Sequence, residues 1–368
     1  MSDFERLVPL IRRLPWLFIE TPARAAGFLS VIALVVLLAL RIELGQSWNL
    51  YASGRQAAKA GDDFPLLLQN AGSAFKDTGG QLVVLLGGST VRELTADDVL
   101  VSKELTRQCR RDIHFVNLGS SSQTFVEGWD LAALAPSSRQ RLLLVGLNPY
   151  RLSFDDDDVV ADLSHSAAGL PTSFSLLWSV ALHTGRVGSL ERVVDSIARQ
   201  QSLGATLRPL QLLVPDRPVK RPPAENPFQP ERSSYHEPVW TRPEKLRQTS
   251  EYIATRVLDF HDRFRSSVTW FNRFVDHFTG PRSDVKFVVT PTDETFARAD
   301  RLISADLREA IGLLGEDRVL DLRGRVKDLD TSDFFDVQHL VAKGREKLHP
   351  VFIDAVSRAL GCSPGVAG

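Results

Sequence analysis

The chain has 368 residues, enough to bury one large core or a core with a sizeable insertion. Its 44 basic and 45 acidic residues leave a formal charge of −1, and no basic stripe interleaves with aromatics, which sets nucleic acid aside as a partner. Cys109 and Cys362 make neither a disulfide framework nor a metal-ligand cluster; they can pair in an oxidising compartment or stay as two free or buried thiols.

Residues 25–40 (AAGFLSVIALVVLLAL) are uncharged and apolar all round, a run of about 24 Å as helix. Arg24 and Arg41 flank it and can snorkel outward, extending the span toward a hydrocarbon core of about 30 Å. No Ala-x-Ala site closes the run, so a retained single-pass anchor over 25–44 is expected rather than a cleaved leader or a core helix. Arg6, Arg12, Arg13 and Arg24 place residues 1–24 in the cytoplasm, against a weaker basic set of Arg41, Arg55 and Lys59 beyond the run. The bulk of the chain is then extracytoplasmic, periplasmic in a bacterial envelope. Leu7–Ile19 suits an interfacial amphipathic segment.

Residues 45–80 read as a connector with one short helix around Phe64–Phe75. From Leu82 apolar runs at 82–86, 113–118, 141–147 and 285–290 are continuous, as in parallel strands buried on both faces, and 318–322 offers a fifth. Helices fit between them: one opened by Thr95-Ala96-Asp97-Asp98 as a capping box and ending near Arg110, one over 123–134, and a last one over 341–360. Alternating strands and helices predict an α/β fold with a doubly wound, parallel five-stranded sheet over 81–368.

Residues 150–280 break this rhythm and are expected to be an insertion packed on the sheet. A helix suits 189–203, nine of the twenty prolines within 209–243 argue against regular helix there, and a long helix follows from Glu244 to Phe278. On that helix Ile253, Val257, Phe260, Phe264, Phe271, Phe274 and Phe278 recur at three- and four-residue steps. The acidic run Asp155–Asp158 lacks the spacing and glycine of a calcium loop and reads as a solvated loop. The eight histidines form no metal motif, so neither a metal nor another cofactor is expected.

Three of the strand-like runs and one helix start carry chemistry. Ser89 follows Gly87-Gly88 where a strand should turn into a helix, Gly119 ends the second run, Asn148 ends the third, and Asp336-Val337-Gln338-His339 precedes the last helix. Serine needs a base to take its proton, and a carboxylate holds the imidazole in the useful tautomer. Ser89, His339 and Asp336 supply that relay, with His277 the competing base. The Ser89 and Gly119 amides and the Asn148 side chain can face a developing oxyanion. Ser89 can alternatively be a helix cap, and Asn148 before Pro149 a turn residue.

In these four blocks the chain resembles the SGNH (GDSL-type) hydrolases, with Gly-Gly-Ser89, Asn117-Leu118-Gly119-Ser120, Gly146-Leu147-Asn148 and Asp336-x-x-His339 in order over most of the chain beyond the anchor. Gly88 stands where the family often has aspartate and Pro149 where it often has a second acid, so the resemblance is to divergent, membrane-anchored members acting on envelope polysaccharides. It implies a flavodoxin-like α/β/α sandwich. It also implies an extracytoplasmic serine esterase or O-acyltransferase for carbohydrate or cell-envelope acyl (acetyl) esters, with a membrane-bound acyl-donor partner in the transferase case. The catalytic set is Ser89, Asp336 and His339, and the oxyanion set is Ser89, Gly119 and Asn148. Arg92, one turn beyond the serine, is a candidate substrate contact, or else a surface arginine. An inactive scaffold or polysaccharide-binding partner is the main alternative, and a lipid esterase a further one.

Overall fold

The computed structural model describes residues 79–120, 123–148, 152–166 and 239–362, together with positions 67, 71, 75, 176, 179, 180 and 183. The expected anchor at 25–44, the segment 7–19, the helix at 189–203 and the proline-rich stretch up to 238 lie outside the described residues. Among the described residues no helix is long and apolar enough to cross a membrane.

Five strands form one parallel sheet: β1 (Gln81–Leu86), β2 (Ile113–Asn117), β3 (Arg141–Leu147), β4 (Ser283–Val289) and β5 (Val319–Asp321), in the order β2-β1-β3-β4-β5. The four pairings are all parallel. The order reverses direction between β1 and β3, and in such sheets ligands bind in the crevice beyond the strands' carboxyl ends at that switch point. The expected strand runs agree with these bounds to within a residue or two.

Residues of alternate parity on each strand face opposite helical layers. Val84, Leu143, Val145, Val285 and Phe287 join one core with α3 (Phe125–Leu134), α5 (Arg242–Phe278) and α6 (Ala297–Leu314). Val83, Leu85, Phe115, Leu142 and Leu144 join the other with α2 (Asp98–Cys109) and α7 (Ala342–Ala359). The result is a three-layer α/β/α sandwich. Phe260, Phe264, Phe271, Phe274 and Phe278 of α5 lie in the first core, so this helix is a structural layer between β3 and β4. Leu67 and Ala71, both helical, and Phe75 pack on the same core.

Sheet edge β2 is closed by side chains of α2. Asp98 Oδ2, Ser102 Oγ and Thr106 Oγ1 accept from the backbone N–H groups of Asn117, Phe115 and Ile113 at 2.8, 2.9 and 3.0 Å. Four helical residues rise about 6 Å and two strand residues about 6.6 Å, so three successive helix turns match three alternate strand amides. An edge that would otherwise template another chain is thereby satisfied. Helix α2 also ends at the disulfide Cys109–Cys362, which ties it to the segment after α7 across 253 positions and resolves the cysteine alternatives in favour of pairing.

Three local expectations are corrected. Helix α2 is capped by Asp97, whose carboxylate accepts from the Val99 and Leu100 amides, and not by a box opened at Thr95. Asp97 prevails because it lies directly before the first helical residue, within reach of both amides. The run Asp155–Asp158 is no solvated loop: Asp156–Asp158 form the first turn of α4 (Asp156–Ser166), Asp155 accepts from the Asp157 and Asp158 amides, and Arg263 pairs with Asp155 and Asp158. Carboxylates at a helix N-terminus are favoured by the dipole, which acidity alone did not reveal. Finally, α5 begins at Arg242, with Pro243 in its first turn, where a proline has no helical amide to lose.

Candidate active site

Because the strands run parallel, every β-to-α turn opens at one edge. Residues far apart in sequence therefore meet there. β1 ends at Leu86, and Gly87, with φ of +156°, turns the chain into the short helix α1 (Ser89–Arg92). A Cβ on Gly87 would stand 2.6 Å from Val91, and one on Gly146 of β3 only 1.9 Å from the same side chain. Both glycines make room for Val91, which seats α1 against the sheet. Gly88 is the N-cap and no side chain caps this turn, so Ser89 is not acting as a cap.

Ser89 Oγ lies 2.7 Å from His339 Nε2. His339 Nδ1 lies 2.8 Å from Asp336 Oδ2, while Asp336 Oδ1 accepts from the backbone amides of Gln338 and His339 at 2.8 and 2.9 Å. An ionised carboxylate only accepts, so the ring proton sits on Nδ1 and Nε2 offers its lone pair to the serine hydroxyl. Burial pushes the Asp336 carboxyl upward more than any other single cause. The His339 hydrogen bond and charge, with the Gln338 and His339 amides, together outweigh it and hold the group below the usual carboxylate range. The imidazole and carboxylate side chains are 15% and 7% exposed, dry enough to strengthen the relay.

The loop carrying Asp336 and His339 is over-determined. Phe335 N–H donates to His339 C=O at 2.7 Å, and Phe334 bridges Leu340. Gln248 of α5 donates to Asp336 Oδ2 at 3.5 Å and accepts from Val337 N–H at 3.3 Å. Beneath the loop, the Lys245 ammonium is 0% exposed and donates to Asp293 Oδ2 at 3.0 Å, Thr331 C=O at 2.5 Å and Phe334 C=O at 2.8 Å. None of these α5 contacts was anticipated. A charged residue in a helix's first turns reads as solvent-facing until its partners 48 and more positions away are known.

The expected oxyanion donors separate. The Ser89 N–H, first in its helix, has no intrahelical acceptor. Asn148 Nδ2 donates to the hydroxyl of the next residue, Thr90 Oγ1, at 3.3 Å. The Gly119 N–H is also engaged: it donates to Asn117 Oδ1 at 2.9 Å. The physical reason is the Asn117 side chain, whose amide donates to Thr95 Oγ1 and Arg92 C=O at 2.8 and 3.2 Å and so fixes its oxygen toward Gly119. Gly119 is required here by contact, since a Cβ would meet the Arg92 backbone at 2.8 and 2.9 Å. The Arg92 guanidinium pairs through Nε with Glu93 at 3.2 Å and its side chain is 16% exposed, so it is not a free surface arginine.

His277, the competing base, sits at the far end of α5, stacked on Trp129 at 5.0 Å. Burial and then Arg141, at the first residue of β3, push its imidazole below the ordinary range. It lies toward the strands' amino ends and not with Ser89. Among the described residues no group of three or more His, Cys, Asp or Glu side chains could hold a metal ion.

No protein-family model matches the chain, and no curated protein matches it. Among solved structures, the lipase Lip_vut3 from a goat rumen metagenome is similar at 10% identity over 77% of this chain and 98% of that one, with a TM-score of 0.30. A likeness that loose has no bearing on the chemistry.

Proposed function

We propose that the chain is a serine esterase or O-acyltransferase of SGNH type. The observation that carries this reading is the unbroken path from Ser89 Oγ to His339 Nε2 and from His339 Nδ1 to Asp336. Ser89 Oγ attacks the ester carbonyl carbon as its proton passes to His339 Nε2. The carbonyl oxygen becomes an oxyanion facing the Ser89 N–H and Asn148 Nδ2, and the Gly119 N–H joins only if its bond to Asn117 gives way. The C–O bond to the alcohol then breaks, His339 returns the proton to the leaving oxygen, and acyl-Ser89 remains. An incoming hydroxyl loses its proton to Nε2 and takes the acyl group as the ester bond to Ser89 breaks, and Nε2 returns that proton to Ser89 Oγ. Water gives an esterase, a sugar hydroxyl a transferase.

The substrate class, a carbohydrate or envelope ester, and the anchored, extracytoplasmic location rest on the sequence. A disulfide, favoured in oxidising compartments, supports the extracytoplasmic location. A second reading, an envelope scaffold on a silent site, is favoured by one observation: the engaged Gly119 amide. A fluorophosphonate probe decides between them. The enzyme reading expects Ser89 to be labelled and an acetyl ester to be turned over. Ser89→Ala or His339→Ala should then lower turnover by about 10⁴-fold or more. A folded, full-length chain that neither labels nor turns over the ester is the scaffold.

A further inference from the structure

We infer that Glu93 is a positioning residue that sets the distance between the nucleophile and the base. This rests on the reading of Ser89 and His339 as that pair. The two belong to segments 250 positions apart, and their 2.7 Å hydrogen bond is only as good as whatever fixes those segments together. Glu93 joins both. Its N–H donates to the carbonyl of Ser89 itself at 3.0 Å, so its backbone moves with the nucleophile. Its carboxylate, 1% exposed, takes Arg92 Nε at 3.2 Å on one oxygen and faces an Arg345 terminal nitrogen at 3.6 Å on the other. Arg345 lies in the first turn of α7, where its N–H donates to Val341 C=O at 3.0 Å, just beyond His339.

Burying a carboxylate and a guanidinium side by side is a poor route to stability, since apolar residues of the same volume do as well or better. What an ion pair adds is a defined register. Arg345 is 8% exposed, and its Nε has no hydrogen-bond partner among the described residues, so Glu93 is the carboxylate that holds this cation in place. Glu93 and Arg345 therefore act as a strut from the turn after Ser89 to the helix after His339. Loss of the strut lets the two segments drift, and a misplacement near 1 Å lowers such a reaction by about 10²-fold.

The test measures fluorophosphonate labelling of the purified full-length chain, well below its unfolding temperature, as a rate at saturating probe and a half-saturating concentration. Glu93→Gln and Arg345→Met should each slow the saturated rate at least about tenfold, with half-saturation and circular dichroism unchanged. The double variant should be no slower than either single one, Arg345→Lys should be intermediate, and Arg358→Met, in an exposed pair on the same helix, should match the parent. A wild-type chain that labels while Glu93→Gln and Arg345→Lys label at the parental rate overturns the strut alone. Additive losses in the double variant do the same. A wild-type chain that does not label removes the catalytic reading and the strut with it. Should Glu93→Gln not fold, Arg345→Lys and Arg345→Met decide the matter.

Discussion

Replacing Lys245 by Met should destabilise the chain by about 3–5 kcal/mol, the cost of leaving one member of a buried pair unpartnered. Lys245 and Asp293 are both 0% exposed, and the ammonium's three protons are spent on Asp293 Oδ2, Thr331 C=O and Phe334 C=O. Methionine preserves the stem's packing but strands two carbonyls and a carboxylate. Asp293 retains the Thr295 amide at 2.8 Å and the Thr331 hydroxyl at 2.6 Å, which keeps the loss near the lower end of that range. Lys245→Met with Asp293→Asn removes both charges and should recover about 1–3 kcal/mol relative to the sum of the single variants. Urea unfolding followed by tryptophan fluorescence and far-ultraviolet circular dichroism gives the four corners of that cycle. A single-variant cost under about 1 kcal/mol, or strictly additive costs, would refute the argument that this cation pins the loop beneath His339.

Two further outcomes follow from the packing around Ser89. Burial above all, and then the Asp97 charge, push the Asp98 carboxyl from 3.8 up to about 8 against the opposing Asn117 and Thr95 hydrogen bonds. Between those values the folded chain keeps a proton that the unfolded chain has released. Stability is therefore lost as pH rises through that window, by at most about 1.4 kcal/mol per pH unit. Asp98→Asn should gain on the parent by roughly 3 kcal/mol between pH 5 and 7.5 in chemical denaturation, and a pH-independent difference would contradict this. Gly146→Ala should cost about 1–3 kcal/mol and slow Ser89 labelling, because its methyl occupies the space of Val91 Cγ2. Val91→Ala in the same chain should restore much of both, and failure of that rescue would show that Gly146 matters for another reason.

The sheet was legible because strands buried on both faces read as unbroken Val/Leu runs, and the 37-residue α5 because Ile253, Val257 and the phenylalanines from 260 to 278 keep helical spacing. Ser89, Asp336 and His339 were legible for a related reason: parallel topology brings every strand end to one edge, so residues following such runs become neighbours. Lys245, Glu93 and Asp98 were not. Each lies in or beside a helix's first turns among other polar residues, a context that describes a solvated face equally well. Gly146 was noticed as part of a short block around Asn148, yet its structural duty is toward Val91, a contact that spacing does not encode.

These illegible residues share a physical origin. Where strands stop, the sheet no longer satisfies the backbone, and the loops that bring Ser89, Asn117 and Asp336 together carry amides and carbonyls that need partners away from water. Asp98 meets the last amide of β2, Lys245 meets two carbonyls of the 331–337 loop, and Glu93 offsets the cation that follows that loop. An apolar side chain of equal volume would fill each space but leave those groups unpaired, at about 1–3 kcal/mol apiece. The edge that can place a nucleophile beside a base is thus the edge that demands buried polar side chains. Their identity is set by the partner segment, which lies 19 to 252 positions away.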